Sequence, residues 1–353
     1  MLTNVVQDAV MSLLPARRKR SNEWISFNAV CCAHNGETAD TRGRGGVIAA
    51  PDGAVSYHCF NCGFKVSYRP GWALSYKFRR WLSWLGADEN NIRRLMLEAI
   101  RVRELVAPEH IPKPEREINI APRSLPPESV SLKEWATYIS LQGANWKLPK
   151  QVVQAVDYLV GRDPSLLDRY DFYLTEDESY NLHKRVIVPF YWQGNLIGYT
   201  ARAFDTSVKP KYHSNYEPNY VFNLDRQTDQ RKFVIVTEGP FDAMAVDGVA
   251  VLSNECSETQ ADIIDNLART VIVVPDFDVH EDRRGRSVWS GSRLVDQAME
   301  YGWNVSFPVW RDNCKDVADA VQQYGRLFVI KSILDAQQSS RLKIELMKKK
   351  IHI

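Results

Sequence analysis

The chain lacks any apolar run long enough to cross a bilayer, which takes about 20 residues of helix. Its opening Met1-Leu-Thr-Asn-Val-Val-Gln-Asp8 has no basic stretch leading into an apolar core. Neither a membrane span nor a secretory signal is expected, and the sequence reads as that of a cytoplasmic protein. No Gly-Lys-Ser or Gly-Lys-Thr occurs, which excludes a P-loop phosphate cradle. A dominant charge is missing too: 45 Lys and Arg residues stand against 43 Asp and Glu residues among 353. Any surface built for a polyanion must therefore come from local clustering. There is no internal repeat, and biased composition is confined to one proline-rich segment. Cysteine is scarce, yet four of the six fall between positions 31 and 62, an arrangement that points to metal rather than to a disulfide framework.

What is present starts with those cysteines. Cys31-Cys-Ala-His34 and Cys59-Phe-Asn-Cys62 are two ligand pairs, each with two intervening residues. Two such knuckles can close a tetrahedron around Zn²⁺. The spacing nominates Cys31, His34, Cys59 and Cys62, with Cys32 as a competing donor expected to be packed. Between the pairs, Val47 to Ala50 and Val55 to Cys59 read as hairpin strands around Pro51-Asp-Gly53. The preceding run Arg17-Arg-Lys-Arg20 is either a solvated surface or a phosphate contact. From Gly71 to Arg103 the pattern is helical, with Trp72, Tyr76, Phe78, Trp81 and Trp84 set among arginines. Core packing is the first expectation for that stripe and base stacking the second. Six prolines between Ala107 and Glu128 bar a helix or central strand there, so this segment reads as a semi-rigid linker.

Beyond it, Ser131 to Arg169 is amphipathic helix broken at Gly161-Arg-Asp-Pro164. Lys184 to Phe190 and Leu196 to Arg202 read as a β-hairpin turning at Trp192 to Asn195, followed by basic Lys209 and Lys211. Then Lys232-Phe-Val-Ile-Val-Thr237 runs into Glu238, and Gly239-Pro240 suits a tight turn into a helix. Thr270-Val-Ile-Val-Val-Pro275 runs into Asp276-Phe-Asp278. In a parallel sheet both strands deliver their acids to one edge, where open α/β sheets keep their sites. Acids converging there call for hard divalent cations, Mg²⁺ or Mn²⁺. Helix Val288 to Tyr301, strand Asn304 to Trp310, helix Lys315 to Tyr324 and a helical tail from Ser339 complete an α/β alternation.

These residues carry a resemblance. Glu238-Gly-x-x-Asp242 with Asp276-x-Asp278 resembles the toprim module of bacterial-type primases, topoisomerases and some nucleases. Tyr57-His-Cys-Phe-Asn-Cys-Gly-Phe64, preceded by Cys-x-x-His-Asn-Gly, is similar to the N-terminal zinc ribbon of bacterial and phage DNA primases. Arg185-x-x-x-Pro-Phe, Gly198 to Arg202 and Pro210-Lys-Tyr212 look like the basic subdomain that precedes toprim in the primase core. The chain departs from the pattern at Cys32, where proline is usual, in the insert bearing Arg42-Gly-Arg-Gly-Gly46, and in the long segment Val279 to Arg286.

The resemblance implies a layout: zinc domain 1–75, helical extension 76–106, linker 107–128, basic α+β subdomain 129–230, toprim-like parallel α/β sheet 231–330, helical tail 331–353. It implies a primase making RNA primers from ribonucleoside triphosphates on a single-stranded DNA template, with a separate replicative helicase as partner and no membrane. One structural Zn²⁺ and catalytic Mg²⁺ or Mn²⁺ are the implied cofactors. Glu238, Asp276 and Asp278 would be catalytic, with Asp242 and Asp316 as further metal candidates. Arg185, Arg202, Lys209 and Lys211 would contact nucleic acid or nucleotide phosphate. The short chain and the late acidic Lys315-Asp-Val-Ala-Asp319 suggest a phage origin, hence a bacterial host cytoplasm. A toprim nuclease or topoisomerase-like enzyme, and an inactive zinc-ribbon adaptor, are the rival readings.

Overall fold

Alternation builds the first sheet. In Val55–Cys59 the odd positions are buried while Ser56 is exposed, and in Lys65–Tyr68 Val66 and Tyr68 are buried, so one face of each strand is committed to a core. The computed structural model describes residues 5–21, 23–105, 120–135, 137, 149–175, 182–228, 230–267, 269–281, 287–310 and 314–351. Most of the expected proline linker and the expected helix at 138–148 lie outside them. The chain divides into two units, Met1–Arg116 with Ala261–Arg269, and Glu117–Gln260 with Thr270–Ile353.

In the first unit β1 (Arg18–Ser21), β2 (Trp24–Phe27), β3 (Gly45–Ala49), β4 (Val55–Cys59) and β5 (Lys65–Tyr68) form an antiparallel meander in sequence order. β3 and β4 are the hairpin expected around Pro51-Asp-Gly53. The aromatic stripe is mainly core: Phe78, Trp81 and Leu82 of helix Tyr76–Trp84 are buried. Tyr57 stacks on Trp81 at 4.7 Å and Phe78 meets it edge-on at 5.4 Å. Such pairs add about 0.5–1.5 kcal/mol each beyond the area they bury. Ser75 caps the helix by accepting from the Phe78 N–H at 3.2 Å, and helix Glu89–Leu105 packs Leu95 and Ala99 into the same core.

The second unit holds two sheets. β6 (Val130–Ser131), β7 (Tyr173–Leu174), β8 (Arg185–Trp192), β9 (Asn195–Ala203) and β10 (Tyr212–Tyr216) pair antiparallel in the order β10-β9-β8-β7-β6. β8 is buried on both faces, Val186, Val188 and Phe190 towards the main core and Ile187 towards a smaller cluster. The other sheet has the order β12-β11-β13-β16-β17, built from β11 (Phe233–Thr237), β12 (Val249–Ala250), β13 (Thr270–Val273), β16 (Asn304–Ser306) and β17 (Gln337–Gln338). Its first four strands are parallel, and β17 closes the β16 edge antiparallel. β11 and β13 are the continuous apolar runs that a sheet covered on both faces requires.

The fold class is α/β, as the alternation predicts, with differences at the edges of elements. The helix expected from Val288 begins at Ser292, because Ser287–Trp289 (β15) pairs with Val279–Glu281 (β14). The strand expected over Asn304 to Trp310 is three residues long. Helix Val317–Tyr324 starts two residues late because Asp316 serves as its N-cap. Among the described residues no helix is long and apolar enough to cross a membrane.

Candidate active site and metal centre

β11 and β13 are neighbours in register, Val236 beside Val273, and the Val274 N–H donates to the Val236 carbonyl at 2.9 Å. Glu238 and Asp276 therefore leave adjacent strands at the same edge, and the Asp276 N–H donates to the Glu238 carboxylate at 3.3 Å. Asp242, in the first turn of helix Pro240–Val246, is buried and accepts from the Ala318 N–H at 2.9 Å. Asp316, capping the same helix as Ala318, accepts from the Asp319 N–H at 2.8 Å. Two strand ends and two helix N-termini thus meet, and the positive helix ends favour the carboxylates. Gly239 leaves room at the turn for the Asp242 carboxylate, since a Cβ there would lie 2.7 Å from Asp242 Oδ2 and push it aside.

The Asp276-Phe-Asp278 turn is braced from behind. Trp289 Nε1 donates to the Asp276 carbonyl at 2.6 Å and the Ser290 N–H to the Asp278 carbonyl at 3.1 Å. Residues just beyond the segment Val279 to Arg286 therefore hold the acidic turn in place.

The acids act on one another. Burial, then the charges of Asp242 and Asp278, push Glu238 up to about 7. Burial, then Glu238, Asp316 and Asp278, push Asp276 up to about 8. Asp242 is raised well above the usual range by burial and then by Asp316 and Asp276. All five expected acids share one field, and such a field is relieved by cations with oxygen-seeking character. Mg²⁺ or Mn²⁺ fits this donor set. Lys315 Nζ lies 3.3 Å from Asp278.

Cations face this edge. Lys211 is lowered by desolvation and then by Arg202 and Arg162, while Asp316 and Asp278 favour its charge. Arg202 stacks over Tyr212 at 4.6 Å, and its Nε is buried with no hydrogen-bond partner among the described residues. Arg162 was invisible in the sequence, where it sat in an apparent helix break. It ends helix Lys150–Arg162, lies over Phe241 at 4.9 Å, and is within electrostatic reach of Asp316, Asp242 and Asp319. Lys209 is exposed on the same turn as Lys211. Arg185 is a correction. Its side chain is 0% exposed and donates to the carbonyls of Pro210 at 2.7 Å, Lys211 at 3.3 Å and Ala201 at 3.4 Å. No phosphate can reach it; it is a strut that holds the Lys211 segment against β9.

In the first unit the sulfurs of Cys31, Cys32, Cys59 and Cys62 all lie within 4.8 Å of one another. Cys31 and Cys62 are 3.4 Å apart and Cys32 and Cys59 3.5 Å. A tetrahedral Zn²⁺ with bonds of about 2.3 Å needs sulfurs about 3.8 Å apart, so the quartet fits it. Among the described residues it is the one group of three or more Cys, His, Asp or Glu donors drawn this close. The acids at the β11–β13 edge are more widely spread. The fourth donor is Cys32, not the expected His34. His34 is exposed and lies flat on Trp84, ring centres 4.6 Å apart at 2°, which keeps its imidazole outside the sulfurs.

One further surface escaped the sequence reading. Across all five strands of the first sheet runs the row Lys19, Ser26, Gly46, His58, Lys65. Phe60, 64% exposed, packs against His58 with ring centres 4.2 Å apart and tilted by 47°, and lies 5.8 Å from Trp24. This is an aromatic face flanked by lysines, the composition on which single strands stack.

No family model and no curated protein matches the chain. Among solved structures it is similar to a DnaG primase catalytic domain bound to ssDNA, at 18% identity over 62% of this chain and 81% of that one, TM-score 0.43. It is similar to the E. coli primase catalytic core, at 19% identity over 57% and 79% of the chains, TM-score 0.42. It is also similar to the zinc-binding and RNA polymerase domains of Aquifex aeolicus primase, at 16% identity over 95% and 84%, TM-score 0.36.

Proposed function

We propose that the chain is a bacterial-type DNA primase, making short RNA primers on single-stranded DNA from a toprim-like acidic edge. The observation that carries this reading is the meeting of Glu238, Asp276 and Asp278 at the ends of adjacent parallel strands, opposite Lys211 and Arg202. Divalent cations held there supply neutralising charge to an attacking 3′ oxygen and to a transferring phosphoryl group. Glu238, Asp276 and Asp278 hold those cations, with Asp242 and Asp316 tightening the field. Lys211, Arg202 and Arg162 face the phosphates of nucleotide or template, and Arg185 keeps Lys211 in position. The cysteine quartet binds one structural Zn²⁺ and shapes the Trp24, His58 and Phe60 face that reads the template. In this reading a zinc domain, a helical extension, a linker, a basic subdomain, an acidic sheet and a tail follow one another along the chain, and a separate helicase would supply unwound template.

A nuclease would not need a basic subdomain ahead of the acids, and an inactive adaptor has no need to keep buried carboxylates at the cost their raised proton affinity reveals. Incubation with labelled ribonucleotides, Mg²⁺ and single-stranded templates separates the three. Short RNA products that vanish in Asp276→Ala support the primase. Template cleavage supports the nuclease, and binding without products supports the adaptor.

A further inference from the structure

The insert between the two cysteine pairs is built around a buried charge. The carboxylate of Asp40 is 0% exposed. It accepts from the backbone N–H groups of Ala29 at 2.8 Å, Arg42 at 2.9 Å and Arg44 at 2.7 Å, and from Arg44 Nε at 3.0 Å. Arg44 Nη1 in turn donates to Asn61 Oδ1. That contact decides which way the Asn61 amide faces. With Oδ1 turned to Arg44, Nδ2 is turned to the quartet and donates to Cys32 Sγ at 3.4 Å, while the Asn61 backbone N–H donates to Cys59 Sγ at 3.4 Å.

We infer that Asp40, Arg44 and Asn61 form a hydrogen-bonded relay that selects Cys32 over His34 as the fourth donor and makes the centre a thiolate-only zinc site. Four thiolates around one Zn²⁺ leave a net charge of about −2. Cys31, Cys32 and Cys59 are buried, and buried negative charge is costly without donors and compensating cations. The relay supplies the donors: N–H groups on two of the sulfurs, one of them aimed by a guanidinium that Asp40 anchors. A neutral imidazole in place of Cys32 would leave the Asn61 amide N–H without the thiolate to which it donates.

The inference rests on the zinc reading of the quartet, and the experiment separates the two. Metal analysis of the full chain that finds no zinc removes the zinc reading itself. With zinc present, replacement by Co²⁺ reports the donors through the visible and charge-transfer bands. A four-thiolate spectrum is expected, unchanged in His34→Ala and lost in Cys32→Ser. Zinc release to a chromophoric chelator reports the relay. Asn61→Asp sets a carboxylate against the Cys32 sulfur and is expected to speed release at least about tenfold, the scale on which partners behind metal ligands act. Arg44→Lys keeps the charge but loses the fork and is expected to speed it less; if Asn61→Asp does not fold, Arg44→Lys carries the test. A three-thiolate, one-imidazole spectrum that changes in His34→Ala overturns the proposal, as does release that neither relay variant alters.

Discussion

The cysteine quartet and the acidic edge both gather ligands of like charge, and they differ in how far the protein closes them. The sulfurs all lie within 4.8 Å of one another, three of the four cysteines are buried, and N–H groups already point at them. The acids are spread over two strand ends and two helix N-termini, Asp278 is exposed, and Lys315 sits beside it. A closed four-donor set suits an ion that holds a fold together, whereas an open carboxylate set leaves coordination positions for substrate oxygens. The difference separates a donor set suited to a structural ion from one suited to an ion that takes part in chemistry.

The sharpest way to break that contrast is Asp276→Ala. Primer synthesis is expected to fall at least about a hundredfold, the scale of losing one preorganised electrostatic contact to a transition state, while template binding measured by fluorescence anisotropy persists. Synthesis near the wild-type rate would leave the open site with no catalytic meaning. Within the cation set, Arg185→Ala is expected to cost about 2–4 kcal/mol in urea unfolding, since it strands buried carbonyls. Lys211→Ala should change stability by no more than about 0.5 kcal/mol yet raise the KM for nucleotides. Equal effects on stability would erase the distinction between strut and phosphate ligand.

On the zinc-bearing unit, Phe60→Ala is expected to weaken single-strand binding by about 1–3 kcal/mol, the contribution of one stacked base, without loss of zinc. Unaltered binding would move the template face elsewhere. The smallest effect concerns pH. Glu238 and Asp276 hold protons up to about 7 and about 8 when folded, against about 4 in an unfolded chain. Between those limits the folded state binds more protons, so without divalent cations stability is highest at the acid end of the window and falls as pH rises through it. Mg²⁺ takes the place of the protons, so its stabilisation should be a few degrees larger in melts at about pH 8.5 than at about pH 6. A Mg²⁺ effect independent of pH would detach these two carboxylates from the ion.

Much of the acidic edge was legible in the sequence because its signals are local. Val234 to Val236 and Val271 to Val273 announce buried strands, and an acid two residues after the first and three after the second locates the edge. The alternation in Val55–Cys59 and the Pro51-Asp-Gly53 turn did the same for the ribbon. What escaped depends on which way a side chain faces. Spacing nominates His34 ahead of Cys32, and the stacking of the imidazole on Trp84, far along the chain, shows only in three dimensions. Arg185 has the sequence context of a phosphate ligand, but it lies on a doubly buried strand whose neighbours offer carbonyls. Arg162 meets its acids only through tertiary packing. Residues Lys19, Ser26, Gly46, His58 and Lys65 form a row only once four strand registers are set.

The pairing of Gln337 and Gln338 with Ser306 and Val305 has a bearing on solubility. A sheet that ended at β16 would offer a bare ladder of amides to any neighbouring molecule. By folding back antiparallel, two residues late in the chain occupy that margin, and on the opposite side the bridge between Phe222 and Ala250 guards β12. Each margin of the acid-bearing sheet is thereby reduced to a very short pairing, a poor template for joining edge to edge with its own kind.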